Sequence, residues 1–232
     1  MFAVLIGNLI NKSGRKYYMK TIAMMPVKLH NERLSGKNTK LLGDKPLLRY
    51  ELDNLRATGL VDELYVYCSS EDVIPYLPQG VTFLKRPEYL DLPTSNFTQF
   101  FEAFIGERDA DIYIMAHATA PFITVATMQE CIAAVQSGEY DSAFCAHKIQ
   151  TFLWQKGEPL NFDPSNLPRT QDLEPIYQET SGVYVFTREV FLNHRRRIGK
   201  KPYIKCVSFK EAVDIDEPND FRLAELLLEI EM

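Results

Sequence analysis

The sequence predicts an α/β domain: a mostly parallel sheet covered by helices on both faces. Short apolar runs of strand length alternate with stretches of helical period, as expected when parallel strands are joined by crossover helices. The length, 232 residues, suits one domain, and 46% hydrophobic with 25% charged residues is ordinary for a globular protein.

The elements follow in order. A compact pattern starts at Met19 and leaves residues 1–18 as an N-terminal tail or an overextended reading frame, ahead of one domain over 19–232. Thr21–Met25 reads as a buried strand closed by Pro26, followed by a polar and basic loop from Lys28 to Asn38. Pro46 opens a helix with Leu48, Leu52 and Leu55 on one face. Glu63–Cys68 and Val81–Leu84 are strands, Asn96–Ile105 a helix, and Asp111–Ala116 a strand ending at a Pro-containing turn. Met128, Cys131, Ile132 and Val135 make a helix face, and Ser142–Ala146 is a strand. The rhythm lapses over 149–181, where Pro159, Pro164, Pro168 and Pro175 suit a protruding excursion. It returns with strands at Gly182–Phe186 and Ile204–Ser208, and a last helix carries Leu223, Leu226, Leu227 and Ile230 on one face.

Composition removes several function classes. A net charge of −5 gives no basic field to collect nucleic acid. No apolar run of about eighteen residues exists to span a membrane. Phe2–Ile10 is short and has neither a basic region before it nor a small-residue cleavage site after it, which argues against a signal peptide. Cys68, Cys131, Cys145 and Cys206 form no C-x-x-C pair and read as reduced core thiols of a cytoplasmic protein.

In open parallel sheets ligands bind beyond the carboxyl ends of the strands, so the loops after Met25, Cys68, Ala116 and Phe186 are the first places to look. The first of these, Pro26-Val-Lys-Leu-His-Asn-Glu-Arg-Leu-Ser-Gly-Lys-Asn38, brings together Lys28, Arg33 and Lys37, with Gly36 permitting close backbone approach. Cations and free N–H groups are what a nucleoside triphosphate needs. The segment matches neither a Walker-type loop nor a dinucleotide fingerprint, and on charge alone a solvated loop fits equally.

The segment resembles the acylneuraminate cytidylyltransferase signature P-A-R-x-x-S-K-R-L-P-G-K-N through Pro26, Arg33, Leu34, Gly36, Lys37 and Asn38. Asn38 favours this branch over the Kdo cytidylyltransferases. Lys28 stands where the family has arginine, keeping the charge but losing the bidentate fork, and Asn31 stands where it has serine. Lys85-Arg-Pro-Glu-Tyr-Leu90 resembles the family's R-P-x-x-L block. His117-Ala-Thr-Ala-Pro121 resembles Q-P-T-S-P, with His117 for a glutamine and Ile123 for a later arginine. Pro168-Arg-Thr-Gln-Asp172, Ser181-Gly-Val-Tyr184 and Val213-Asp-Ile-Asp-Glu-Pro-Asn-Asp220 resemble P-R-x-Q-D, N-G-x-Y and D-I-D-x-x-x-D.

The resemblance implies the three-layer, Rossmann-like nucleotide-diphospho-sugar transferase fold. It also implies transfer of CMP from CTP to the anomeric hydroxyl of an acidic, sialic-acid-like sugar with release of pyrophosphate. Pro26, Val27, Lys28, Asn31, Arg33, Gly36, Lys37, Asn38, Arg86 and His117 would contact nucleotide. Arg169, Gln171, Ser181 and Tyr184 would contact the acceptor, and Lys37, Arg169 and Asp216 would serve catalysis. The excursion would pack on a second subunit, making a homodimer. Trp154 and Phe152 within it suit an interface hairpin or a core equally.

Asp214 and Asp216 flank Ile215, and in an extended segment alternation puts both carboxylates on one side. Hard oxygens at that spacing suit Mg²⁺, whose other positions water and phosphate fill. Helix capping by an acidic loop competes on residue type alone; the resemblance favours metal for Asp214 and Asp216 and a helix-start role for Asp220. Asp109 and Asp111 spell a glycosyltransferase-like D-x-D, but Asp111 opens a strand and so belongs at the wrong edge. Arg195-Arg-Arg-Ile-Gly-Lys-Lys201 reads as a solvated helix end. Rival readings are a cytidylyltransferase for another acid sugar, a glycosyltransferase, and a nucleotide-binding protein without turnover.

Overall fold

The computed structural model describes residues 8–10 and 16–230. Most of the expected tail, and with it most of Phe2–Ile10, lies outside them; Asn8–Ile10 pairs antiparallel with Lys16–Tyr18 in a separate ribbon.

The seven strands of the central sheet, numbered along the chain, are β1 Thr21–Val27, β2 Glu63–Cys68, β3 Thr82–Lys85, β4 Ile112–Ala116, β5 Ser142–Ile149, β6 Ile176–Thr187 and β7 Pro202–Val207. The helices are α1 Leu47–Ala57, α2 Phe97–Glu107, α3 Val125–Gln136, α4 Arg188–His194 and α5 Pro218–Glu229. Their order across the sheet is β7-β5-β6-β4-β1-β2-β3. All neighbours are parallel except β6, which runs antiparallel to both β4 and β5.

Alternation along the strands splits the core in two. Ala23, Met25 and Val27 of β1 face Leu48, Leu52 and Leu55 of α1 and Met128, Cys131, Ile132 and Val135 of α3. Ile22 and Met24 face an aromatic layer of Phe100, Phe101 and Phe104 from α2, with Tyr113, Phe186 and Phe191. Both predicted helix faces are therefore core. Pro26 does not close β1; it lies within it. The β4 ladder stops at Met24, so the missing N–H interrupts no bond on that side.

Three expectations change. β6 starts at Ile176, because residues 176–179 pair directly with residues 149–146 of β5, ahead of a register shift between Glu179 and Tyr184. The end of the predicted excursion is thus sheet. Cys206 is exposed, while Cys68, Cys131 and Cys145 are buried; β7 is the edge strand, and Ile204 on the same face of it is 41% exposed too. In α5 the buried residues are Phe221 and Ala224, whereas Leu223, Leu226 and Ile230 are 38%, 57% and 79% exposed. The helix carries two apolar stripes, and only docking onto Leu42, Leu47 and Ile215 selects one.

The other edge of the sheet confirms the D-x-D argument. Asp111 accepts the Lys20 N–H at 2.8 Å just before β4, and Asp109 pairs with Arg188.

Candidate functional site

The parallel strands β1, β2, β3 and β4 all end at one edge, and antiparallel β6 brings its early residues to the same edge. The register Val183↔Ala116 sets Ser181 and Gly182 beside His117. A Cβ on Gly182 would come 2.6 Å from Ile123 Cδ1 and 2.7 Å from its Cγ1, so the buried Ile123 side chain would have to move to admit one.

A cleft of about 670 Å³ opens at this edge, lined by Lys28, Asn31, Arg33, Lys37, Ser69, Ser70, Asp91 and Asp216 among others. Its floor is built by the loop after β1. Gly36 takes a left-handed conformation, φ 63°, and starts the short 3-10 turn Lys37–Thr39. Asn38 is buried and donates to Lys28 O at 2.8 Å, buckling the loop onto itself. Lys37, 7% exposed, donates to Ile215 O at 2.7 Å and to Asp216 Oδ1 at 3.0 Å. Arg33, with a side chain 60% exposed, pairs with Asp216 Oδ2 at 2.9 Å. Partial burial pushes the Asp216 carboxyl up, but Lys37 and Arg33 outweigh it and hold the group below the usual carboxylate range.

Arg86 lies beneath this floor rather than in its lining. It is 1% exposed and donates to Val27 O at 3.1 Å and to Asp91, with Phe100 at 5.5 Å. Asp91 also accepts from Ser69 Oγ, and its carbonyl accepts from Lys28 Nζ at 2.8 Å. Asp91 therefore ties three loops together. No sequence motif marks it; only its contacts do. Pro26 and Val27 shape the end of β1, and Asn31 Oδ1 is buried without a hydrogen-bond partner among the described residues.

A second cluster adjoins the first. His117 Nδ1 lies 2.7 Å from Ser181 O, so the ring proton sits on Nδ1 and Nε2 is left as an acceptor. Burial, with help from the Arg197 charge, pushes the imidazole down to about 4 against the pull of Ser181 and Asp214, which makes it neutral at pH 7. Tyr184, 2% exposed, donates to Glu179 Oε1 at 2.6 Å and lies edge-on to His117. Ser181 Oγ is buried without a hydrogen-bond partner among the described residues.

Asp214 and Asp216 do alternate about buried Ile215, which is pinned by its N–H to Thr119 O at 2.8 Å. Asp220 accepts from the N–H groups of Asp216 and Glu217 at 3.0 and 2.8 Å, the expected helix-start role. Among the described residues no three His, Cys, Asp or Glu side chains gather as a metal site. Two carboxylates nevertheless fit Mg²⁺, which takes one or two from protein and the rest from phosphate and water. Asp216 is held ionised, and Asp214 is exposed, with its charge felt by His117 and Tyr184.

The remaining predicted residues stand apart. Arg169, with a side chain 72% exposed, forms a two-bond pair with Asp172 at 2.8 and 3.0 Å. Gln171 is also exposed, and its carbonyl accepts from Gln150. Both lie on the excursion, where Trp154 is 60% exposed on a short ribbon and hence not core.

An open, mostly parallel seven-stranded sheet with one antiparallel strand, flanked by helices, is an α/β nucleotidyltransferase fold. A family model described as cytidylyltransferase matches residues 22–231, and the chain belongs to that family. It is similar to the N-acylneuraminate cytidylyltransferase of Streptococcus agalactiae serotype III, at 20% identity over 88% of this chain and 52% of the relative. The chain thus spans about half the length of the first curated relatives it matches. It is also similar to the CMP-N,N'-diacetyllegionaminic acid synthase of Legionella pneumophila, at 25% identity over 91% of this chain and 97% of that one. Among solved structures, the CMP:2-keto-3-deoxy-manno-octonic acid synthetase complexed with CTP superposes with a TM-score of 0.67 at 15% identity, covering 92% of this chain and 100% of that one.

Proposed function

We propose that this cytidylyltransferase transfers CMP from CTP to the anomeric hydroxyl of an acidic nonulosonic sugar and releases pyrophosphate. The observation that carries the reading is the Lys37–Asp216 link, which joins the cationic loop to the Asp214–Asp216 segment at the ligand-binding edge. Arg33 is held only by an exposed pair, worth under about 1 kcal/mol, and so exchanges readily for phosphate. Lys28 and Lys37 would neutralise charge growing on the leaving pyrophosphate. Neutral His117 offers Nε2 as an acceptor where the base or the acceptor sugar meets β4. Asp214 and Asp216 would hold Mg²⁺, which when bound polarises phosphate oxygens.

The named relatives act on sialic, legionaminic and Kdo-type sugars, and all of these carry a carboxylate beside the anomeric carbon. We read the acceptor as a member of that class. Exposed Trp154, Leu160 and Leu167 on the excursion support the homodimer reading, since an unpaired apolar surface there would otherwise face water. A cytoplasmic location fits the use of CTP as a substrate. The test is a pyrophosphate-release screen of CTP, with Mg²⁺, against a panel of nonulosonic acids. Turnover with one or more acids is expected. Binding of CTP with no turnover across the panel overturns the reading in favour of a nucleotide-binding protein.

A further inference from the structure

The basic run after α4 does not behave as one solvated patch. Arg195 pairs with Glu102 and has a side chain 53% exposed, and exposed Arg196 donates to Gly199 O at 3.3 Å. Arg197 turns the other way. Its side chain is 29% exposed, and its guanidinium carbon lies 3.6 Å from the centre of the Tyr184 ring. Nη2 donates to Glu179 Oε1 at 3.0 Å, the same oxygen that accepts from Tyr184 at 2.6 Å. Its charge is one of those that keep His117 neutral. Arg197, Glu179, Tyr184 and His117 are therefore one cluster, beside Asp214 and next to the nucleotide cleft.

A guanidinium has five donor hydrogens in a fixed fork. Among the described residues Glu179 engages one of them. Stacking on Tyr184 fixes the plane of the fork, so the free edge is held without a further loss of side-chain freedom. That is the arrangement that receives a carboxylate in two parallel bonds. Arg169 already spends two donors, Nε and Nη2, on the single carboxylate of Asp172, and its side chain is 72% exposed.

We propose that Arg197, stacked on Tyr184 and braced by Glu179, binds the carboxylate of the acceptor sugar and sets the preference for an acidic substrate. The assignment rests on the cytidylyltransferase reading above. Glu179 and the Tyr184 hydroxyl act as positioning groups: they fix the fork and do not touch the reacting atoms.

The experiment compares the wild type with Arg197→Gln and Arg197→Lys. Pyrophosphate release is followed with CTP and N-acetylneuraminate, N,N'-diacetyllegionaminate or Kdo. The acid that turns over is then compared with its methyl ester, and thermal melts check the fold. Arg197→Gln should lower kcat/KM for the acid by at least about thirtyfold, the size expected for a truncated buried charge pair. KM for CTP should stay within about threefold, because the nucleotide contacts lie elsewhere. The wild type should prefer acid to ester and the Gln variant should not, with Lys intermediate. A folded Gln variant that keeps the preference for acid, or keeps its acceptor kcat/KM within about threefold, overturns the assignment alone. A wild type silent with every acid overturns the cytidylyltransferase reading and this assignment with it.

Discussion

Two neighbouring clusters are wired in opposite ways. Around the loop after β1, cations and carboxylates neutralise one another: Lys37 and Arg33 on Asp216 and, beneath the floor, Arg86 on Asp91. Around His117 the central group is a histidine kept neutral by burial and a nearby cation, with Arg197 and Glu179 paired around an aromatic ring. On the proposed function, a polyanion would displace the exposed Arg33–Asp216 pair at the first cluster, whereas a carboxylate would add to the free edge of Arg197 at the second. Charge exchange would then govern the first cluster and fixed geometry the second.

The largest effect should come from Lys37→Ala. It removes the buried ammonium that joins the loop after β1 to the Asp214–Asp216 segment, and on the proposed function turnover should fall by at least about a hundredfold. Pyrophosphate release, with circular dichroism to confirm the fold, checks it; an unchanged rate would remove Lys37 from the site.

The two aspartates should separate function from structure. Asp214→Asn should abolish Mg²⁺-dependent turnover with little change in melting temperature, because the residue is exposed. Asp216→Asn should abolish it too and also lower the melting temperature, because Lys37 and Arg33 both lose an anionic partner. Metal titrations and melts of both variants are the measurement; equal melting temperatures would show that the pairs on Asp216 carry no stability.

A smaller effect should appear in pH dependence. The folded pKa of His117 is about 4, below its ordinary value near 6.5. Between those values the unfolded chain binds the proton and the folded one does not, so this contribution is present above about pH 6.5 and is lost as pH falls toward 4. His117→Gln, which cannot titrate, should flatten that part of the melting-temperature profile. An identical profile in the variant would mean that the imidazole is not held neutral.

The smallest effect should be that of Arg169→Ala on stability. Its pair with Asp172 is exposed and local, so unfolding free energy should change by less than about 1 kcal/mol. Denaturant melts measure it. A larger loss, growing with protein concentration, would place Arg169 in a subunit contact instead.

The sequence by itself determined the frame of this protein. Strand-length apolar runs, the stripes of α1 and α3, and the placing of the loops after Met25, Cys68 and Ala116 all follow from hydrophobic period and chain order, which are local properties. The alternation of Asp214 and Asp216 about Ile215 is local too, and so is the helix-start role of Asp220. Tertiary structure decided what each polar side chain meets. Arg86 is marked by the sequence as a nucleotide contact, yet the distant Val27 carbonyl and burial turn it inward, beneath the cleft. Arg195, Arg196 and Arg197 are the same letter three times; only the approach of Tyr184 and Glu179 on β6 singled out the third. Of the two apolar stripes on α5, contact with Leu42, Leu47 and Ile215 chose the one through Phe221 and Ala224. Period tells a side chain which face it shares, but the partner on that face is set by sheet order and register, which long-range packing alone supplies.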